Sequence, residues 1–379
     1  MAGIYIHIPF CRRVCAYCDF YKSVRTERLA PVLEAMHREL DERRNYLNGQ
    51  PVETLYVGGG TPSVCTPGEL GSLVARVRKL FGGPAPAETT VEVNPDDLTP
   101  ACAAGLRAAG FDRLSMGIQS LDDGALRLMN RRHDAATALR AFEAARAAGF
   151  GNLSVDLIYG VPGFGGPALQ RTLEGLLALR PEHISAYHLT VEPDTAFGRR
   201  QARGLFRPVE ESVSEAEFAR VHRMLTEAGY EHYEVSNFAL PGFRARHNAA
   251  YWHGVPYLGI GPGAHSYDGR SRRWSTDTAE SYGEGPFRFE EERLTDRDLR
   301  NEYLMTRLRC AEGISLADFA DRFGREAAEK LRRAAAPLLR SGGLTGDGAR
   351  MAIPAERFLT SDWVIGTLFE PEEAESSEP

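Results

Sequence analysis

No apolar run in the 379-residue chain approaches the roughly 20 residues that a membrane-spanning helix needs. The sequence therefore predicts no transmembrane segment, and any membrane association is at most peripheral. The opening MAGIYIHIPFC has no basic stretch ahead of an apolar core and no small-residue cleavage site. The pattern of a secretory signal is absent, which sets the expectation of a cytoplasmic protein. Positive charge is not in excess: 45 basic against 52 acidic residues leave −7, and five of the acids fall in the last ten residues, EPEEAESSEP. The rest of the chain, at about −2, offers no electrostatic case for nucleic acid. Cysteine is scarce as well. Of the six, Cys65, Cys102 and Cys310 are scattered singly, while Cys11, Cys15 and Cys18 crowd together. That is not a disulfide framework; in a cytosolic chain a tight cluster points to a metal or redox site.

The chain has length for about two or three domains. Short runs rich in β-branched residues at Ile4–Ile8, Thr54–Val57, Thr89–Val93, Arg113–Ile118, Leu153–Tyr159 and His183–Leu189 read as buried strands. Amphipathic helical stretches separate most of them. Thr66-Pro67-Gly68-Glu69 is a capping box with proline at the first helical position, Thr99-Pro100 repeats the start signal, and Gly110 and Gly149 close two helices. Six β-α units over about 200 residues predict an α/β fold with a parallel sheet, a barrel or an open doubly wound sheet. Both architectures put site residues at the C-terminal ends of strands. Every chemically suggestive group falls there: the cysteines after the first strand, Gly58-Gly59-Gly60-Thr61-Pro62 after the second, Glu92 and Asn94 at the third, Gln119 at the fourth, Asp156 to Pro162 at the fifth.

The second half changes character. Residues 230–275 are dense in Tyr, His, Asn, Trp and Gly, with little helical period. Leu294–Arg309, Ser315–Phe323 and Glu326–Leu339 read as helices, with Ser315 and Gly324 as boundaries. Gly342-Gly343-Leu344-Thr345 leads into strand-like pieces around Met351 and Phe358, so this part resembles a winged helix. The expected organisation is a barrel at 1–205, a connecting region at 206–284, a smaller helical, winged-helix-like domain at 285–366, and a disordered acidic tail at 367–379.

Cys11-x3-Cys15-x2-Cys18 supplies three thiolates on one short loop. Zinc usually takes four protein ligands, and a second CxxC is missing; His7 is an alternative fourth ligand, although it lies in the strand pattern. Three thiolates suit a four-iron cluster with one iron left open to a small molecule. A CxxxCxxC loop after a first strand, with the aromatic Tyr17 just before the last cysteine, resembles the radical S-adenosylmethionine (SAM) superfamily, whose free iron chelates the methionine moiety of SAM. The resemblance implies a partial (β/α)6 TIM-like barrel and a [4Fe-4S] cluster on Cys11, Cys15 and Cys18. It likens the segment holding Gly59, Gly60 and Thr61 to the family's glycine-rich stretch, where the backbone approaches the ligand and a Cβ would block it.

Tyr5-Ile6-His7-Ile8-Pro9-Phe10-Cys11 resembles the opening of the subfamily that includes oxygen-independent coproporphyrinogen oxidase and the HemW-type haem chaperones. By that resemblance Tyr5, Glu92, Gln119, Arg131 and Asp156 contact SAM. The coproporphyrinogen enzyme carries a fourth cysteine two residues after the third; here that position is Phe20. His247-Asn248-Ala249-Ala250-Tyr251-Trp252 matches the HNxxYW signature of the chaperones, which marks His247, Asn248, Tyr251 and Trp252 as haem-contacting residues. Imidazole is a competent haem ligand, and the guanidinium groups of Arg244 and Arg246 suit propionates. His253 and His265 are alternative ligands; equally, His247 is read as a hydrogen-bonding core residue. The resemblance implies a chaperone that passes haem to acceptor proteins, with respiratory proteins as candidates. The alternative is coproporphyrinogen oxidative decarboxylation. No catalytic residue is assigned, and whether SAM is cleaved is left open.

Overall fold

The computed structural model describes residues 1–371. Most of the acidic end, 372–379, lies outside the described residues. Six parallel strands form where the β-branched runs predict them: β1 (Ala2–Ile8), β2 (Val52–Gly59), β3 (Glu88–Val93), β4 (Arg113–Gln119), β5 (Leu153–Tyr159) and β6 (His183–His188). They pair in chain order. Helices Leu29–Glu42, Pro67–Phe81, Pro100–Ala108, Ala135–Ala147 and Pro167–Leu179 cross over between them. The capping box is made: Thr66 accepts from the Glu69 backbone N–H while Glu69 accepts from that of Thr66. Thr99 likewise caps its helix by accepting from Cys102.

The strands are two-faced. Ile4, Ile6 and Ile8 of β1, Val91 and Val93 of β3, and Leu114, Met116 and Ile118 of β4 are buried in the main apolar core. The alternating residues are polar: Tyr5 and His7, Thr90 and Glu92, Arg113 and Ser115. In the most buried part of the fold such residues persist only when hydrogen-bonded or held for a ligand.

Residues after 230 extend this sheet at both ends. β7 (Glu231–Glu234) and β8 (Asn237–Ala239) add antiparallel beyond β6, whereas β9 (Tyr257–Ile260) pairs parallel with β1 and leads out through β10 (His265–Tyr267), β11 (Ser271–Ser275) and β12 (Phe289–Arg293). The result is one sheet of twelve strands, β12-β11-β10-β9-β1-β2-β3-β4-β5-β6-β8-β7.

The C-terminal part holds helices Asp296–Leu308, Leu316–Phe323 and Arg325–Ser341 with a three-stranded sheet of β13 (Ile314–Ser315), β14 (Thr345–Gly346) and β15 (Arg350–Ala352). Helices plus a small sheet follow the expected pattern. Phe358 is a correction: it lies in a 3₁₀ helix, Ala355–Thr360, with its ring buried. The apolar residues there, Phe358 and Leu359, are adjacent and do not alternate as a half-buried strand requires. Next, Ser361–Leu368 is helical, and Glu370 takes two hydrogen bonds from Arg300, at 2.8 and 2.6 Å. Among the described residues no helix is long and apolar enough to cross a membrane.

Candidate functional site

The cysteine loop leaves β1 at Pro9 and is pinned where it returns: Cys11 N–H donates to Ser23 O (2.9 Å) and Ser23 N–H to Pro9 O (2.6 Å). Its middle is held by Ala16, which donates to Met129 O (3.0 Å) and accepts from Phe197 N–H (2.9 Å). The Lys22 ammonium donates to the Cys18 and Phe20 carbonyls at 2.7 and 2.9 Å. All six cysteines are free thiols. Among the described residues no group of three or more His, Cys, Asp and Glu side chains converges as around a single metal ion. Cys11, Cys15 and Cys18 instead line one cavity of about 360 Å³. His7 is not beside them as a fourth ligand: it accepts from the Tyr5 hydroxyl at Nδ1 and donates to Tyr21 O from Nε2, both at 3.0 Å.

The same cavity is lined by Tyr17, Gly59, Gly60, Thr61, Glu92 and Gln119, and further by Arg131 and Asp156. Tyr17 belongs to the cysteine loop itself; the others come from the C-terminal halves and ends of β2 to β5 and from the loop after Asp123–Leu128, so the parallel sheet gathers them. Thr61 donates to Cys11 Sγ at 3.3 Å. Arg131 donates to Cys15 Sγ (3.3 Å), Tyr17 Oη (3.5 Å) and Gly117 O (2.6 Å), and also to Asn94. One guanidinium thus ties the cysteine loop to β3 and β4. The Glu92 carboxylate accepts from Tyr56 (2.7 Å) and the Gly59 N–H (3.1 Å). Burial pushes the Glu92 carboxyl up to about 7 and Asp156 up to about 6.

Several features fit a bound group. Gly59 has φ +112°, and a Cβ on Gly60 would stand 2.8 Å from the Phe10 carbonyl oxygen, so the strand end presses directly on the cysteine loop. Gln119 holds φ +67°, unusual for a non-glycine residue, and its buried Oε1 has no partner among the described residues. An unsatisfied buried acceptor on a strained residue beside three thiols, two carboxyls and a glycine edge suits an open-cornered cluster and a polar, amine-bearing ligand.

Two of the predicted groups lie elsewhere. Tyr5 does not line this cavity; its ring stacks beside Tyr56 and His247, with centroids 6.1 and 6.4 Å away. The HNxxYW segment forms a short helix, Arg246–Trp252, whose N-terminal amides at Arg246 and His247 both donate to Glu88 at 3.0 Å. Glu88 begins β3, so this helix seats near the N-terminal ends of the strands, away from the cysteines. His247 is 1% exposed, and both ring nitrogens are taken, by Thr54 and Tyr251 at 2.8 Å each. Burial lowers its pKa to about 3. That is the geometry of a hydrogen-bonded core histidine. Arg244 is committed to Glu231 (3.0 Å) and Glu312. Asn248 is half-buried and Tyr251 and Trp252 border a second cavity, of about 540 Å³. His265, stacked on Trp274, lines a third, of about 590 Å³, together with Tyr5, His7, Phe20 and Tyr251. Phe20, 68% exposed, lines both this third cavity and the cysteine cavity.

Sequence reasoning passed over Ser115, Tyr187 and His188, which also line the cysteine cavity. Their signal was available in part: Ser115 on β4 and Tyr187 on β6 alternate in phase with polar residues of the same strands, whereas His188 is the last residue of β6. It also passed over a buried cluster near the N-terminal ends of the strands, where His183 hydrogen-bonds Ser154 (2.7 Å) and Tyr233 (2.8 Å), and Arg113 lies 4.0 Å from Glu88.

Residues 5–175 match the radical SAM superfamily, and residues 294–356 the HemN C-terminal domain. The chain is 36% identical to "Heme chaperone HemW" of Mycobacterium tuberculosis, over 97% of this chain and 94% of that one. Identity to the protein of the same name from Bacillus subtilis is 34%, over 86% of this chain and 88% of that one. Among solved structures, coproporphyrinogen III oxidase (HemN) from Escherichia coli superposes with a TM-score of 0.82 over 97% of this chain and 90% of that one, at 24% identity, a likeness of fold. With the inward-facing cavity at the strand ends and identity of this extent over nearly the whole chain, the protein belongs to the HemW family of the radical SAM superfamily.

Proposed function

We propose that the chain is a cytoplasmic haem chaperone that carries a [4Fe-4S] cluster on Cys11, Cys15 and Cys18, binds SAM beside it, and passes haem to acceptor proteins. The observation that carries the reading is the gathering of three thiols and the SAM-contact candidates Gly59, Gly60, Glu92, Gln119, Arg131 and Asp156 around one cavity. When bound, such a cluster supplies an electron to the sulfonium of SAM and an open iron to its amine and carboxylate. The chain's own part is positional. Gly59 and Gly60 bring backbone close, Glu92 and Asp156 offer acceptors to ammonium and hydroxyl groups, and Arg131 holds the cysteine loop against β3 and β4.

Phe20, where the coproporphyrinogen enzyme has a cysteine, and the HNAAYW segment support a chaperone over a decarboxylase. Haem titration into the reconstituted protein tests the reading: a saturable Soret shift is expected, and none would count against it. An anaerobic assay with coproporphyrinogen tests the second reading, and formation of protoporphyrinogen would reverse the ranking.

A further inference from the structure

Between the sheet's outer edge and the C-terminal domain lies the cavity of about 540 Å³, a size suited to a drug- or cofactor-sized ligand. Its walls include Trp252, Tyr257, Tyr303, Met305 and Phe323, broad apolar faces of the kind a flat macrocycle packs against. The indole Nε1 of Trp252 is buried without an acceptor among the described residues.

The charges are the more specific feature. Three arginines and one glutamate line the cavity. Arg272 is paired with Glu302 at 2.9 Å. Arg307 and Arg322 are each 5.4 Å from the centre of the Tyr303 ring, and neither is paired with a described carboxylate. Two uncompensated guanidinium groups over one aromatic call for a ligand with two anionic arms and a planar apolar body. On the same cavity His253 is exposed, and its Nδ1–H donates to Ala249 O at 2.8 Å. That bond fixes the tautomer and leaves the Nε2 lone pair free, the usual arrangement of a metal-bound imidazole. His247, six residues earlier, has no free nitrogen.

Resting on the haem reading above, we propose that haem binds in this cavity, with its iron on His253 Nε2 and its two propionates on Arg307 and Arg322. The C-terminal domain is then half of the haem site, and the signature helix contributes through Trp252 and the residue after it.

The test is a haem titration of the full chain, wild type beside Arg307→Ala/Arg322→Ala, Arg322→Glu, His253→Ala and His265→Ala, with the dimethyl ester of haem as the uncharged probe. Arg322 is exposed, so Arg322→Glu leaves the fold intact, and cluster content checks each variant. Affinity is expected to fall roughly tenfold or more in the arginine variants. Wild type should prefer haem to its ester and the double variant should not, while His253→Ala alone alters the ferric Soret band. Unchanged affinity and ester preference in the arginine variants overturns the proposal. Loss of the Soret change with His265→Ala but not His253→Ala does so too, and assigns haem to the third cavity. A wild type that binds neither probe sinks the chaperone reading itself, a separate outcome.

Discussion

His247 and Tyr251, four residues apart on one helix, share a 2.8 Å hydrogen bond, and the other nitrogen of the imidazole reaches Thr54 on β2. The pair therefore bolts the signature helix to the strands. Replacing His247 by Ala removes both bonds and opens space beside Tyr5 and Tyr56. A loss of about 2–4 kcal/mol is expected, seen as a lower midpoint in denaturant. Haem affinity of the folded fraction should stay within a few-fold of wild type; intact stability with abolished haem binding would reverse this assignment.

The same burial has a pH signature. His247 has a folded-state pKa of about 3 against an ordinary value of 6.5. The unfolded chain binds this proton first, so the neutral histidine's contribution is complete above pH 6.5 and is lost as pH falls toward 3. His247→Gln should flatten the pH dependence of stability by about 1.4 kcal/mol per pH unit in that window. Identical slopes for variant and wild type would contradict it.

Glu92 shifts the other way, up to about 7 through burial. It gains charge across neutral pH. SAM affinity, measured by equilibrium dialysis on cluster-loaded protein, should rise from pH 6 to pH 8 and rise less in Glu92→Gln, where only Asp156, at about 6, still gains charge at the acid end of that range, with overall affinity reduced roughly tenfold. A pH dependence unchanged in the variant would exclude Glu92 as its source.

Two glycine substitutions separate crowding from general damage. A Cβ at Gly60 meets the Phe10 carbonyl oxygen at 2.8 Å, whereas at Gly68 the nearest atom is 4.0 Å away. Gly60→Ala should lower cluster occupancy, because the cysteine loop must shift. Gly68→Ala, near the start of the helix Pro67–Phe81, should keep it and leave stability equal or higher by up to about 1 kcal/mol. Equal iron content in both variants would refute the close-approach argument.

Much of this is legible in the amino-acid sequence. The six strands lie within about two residues of their runs, and the strand-end rule gathered Gly59, Glu92, Gln119 and Asp156 correctly into one cavity. What was not legible has physical causes. β7 to β12 are three to five residues long, too short for a periodic signal, and they join the sheet through β8 on β6 and β9 on β1, pairings between strands far apart in sequence. Phe358 shows the converse, an apolar residue next to another, Leu359, without alternation. The motif left His247 open between haem ligand and core residue, because a motif names residue types only; its two hydrogen-bond partners, from β2 and its own helix, make it a core residue. Arg307 and Arg322 meet over Tyr303 only because two helices of the C-terminal domain pack together.

The central claim is that three thiols hold a cluster with one open corner. Iron and acid-labile sulfide, counted after anaerobic reconstitution of wild type and of Cys11→Ser, Cys15→Ser and Cys18→Ser, test it most directly. Wild type should hold about four of each per chain and every variant far less. Wild-type protein that stays colourless and free of sulfide, or variants that load like wild type, would contradict it.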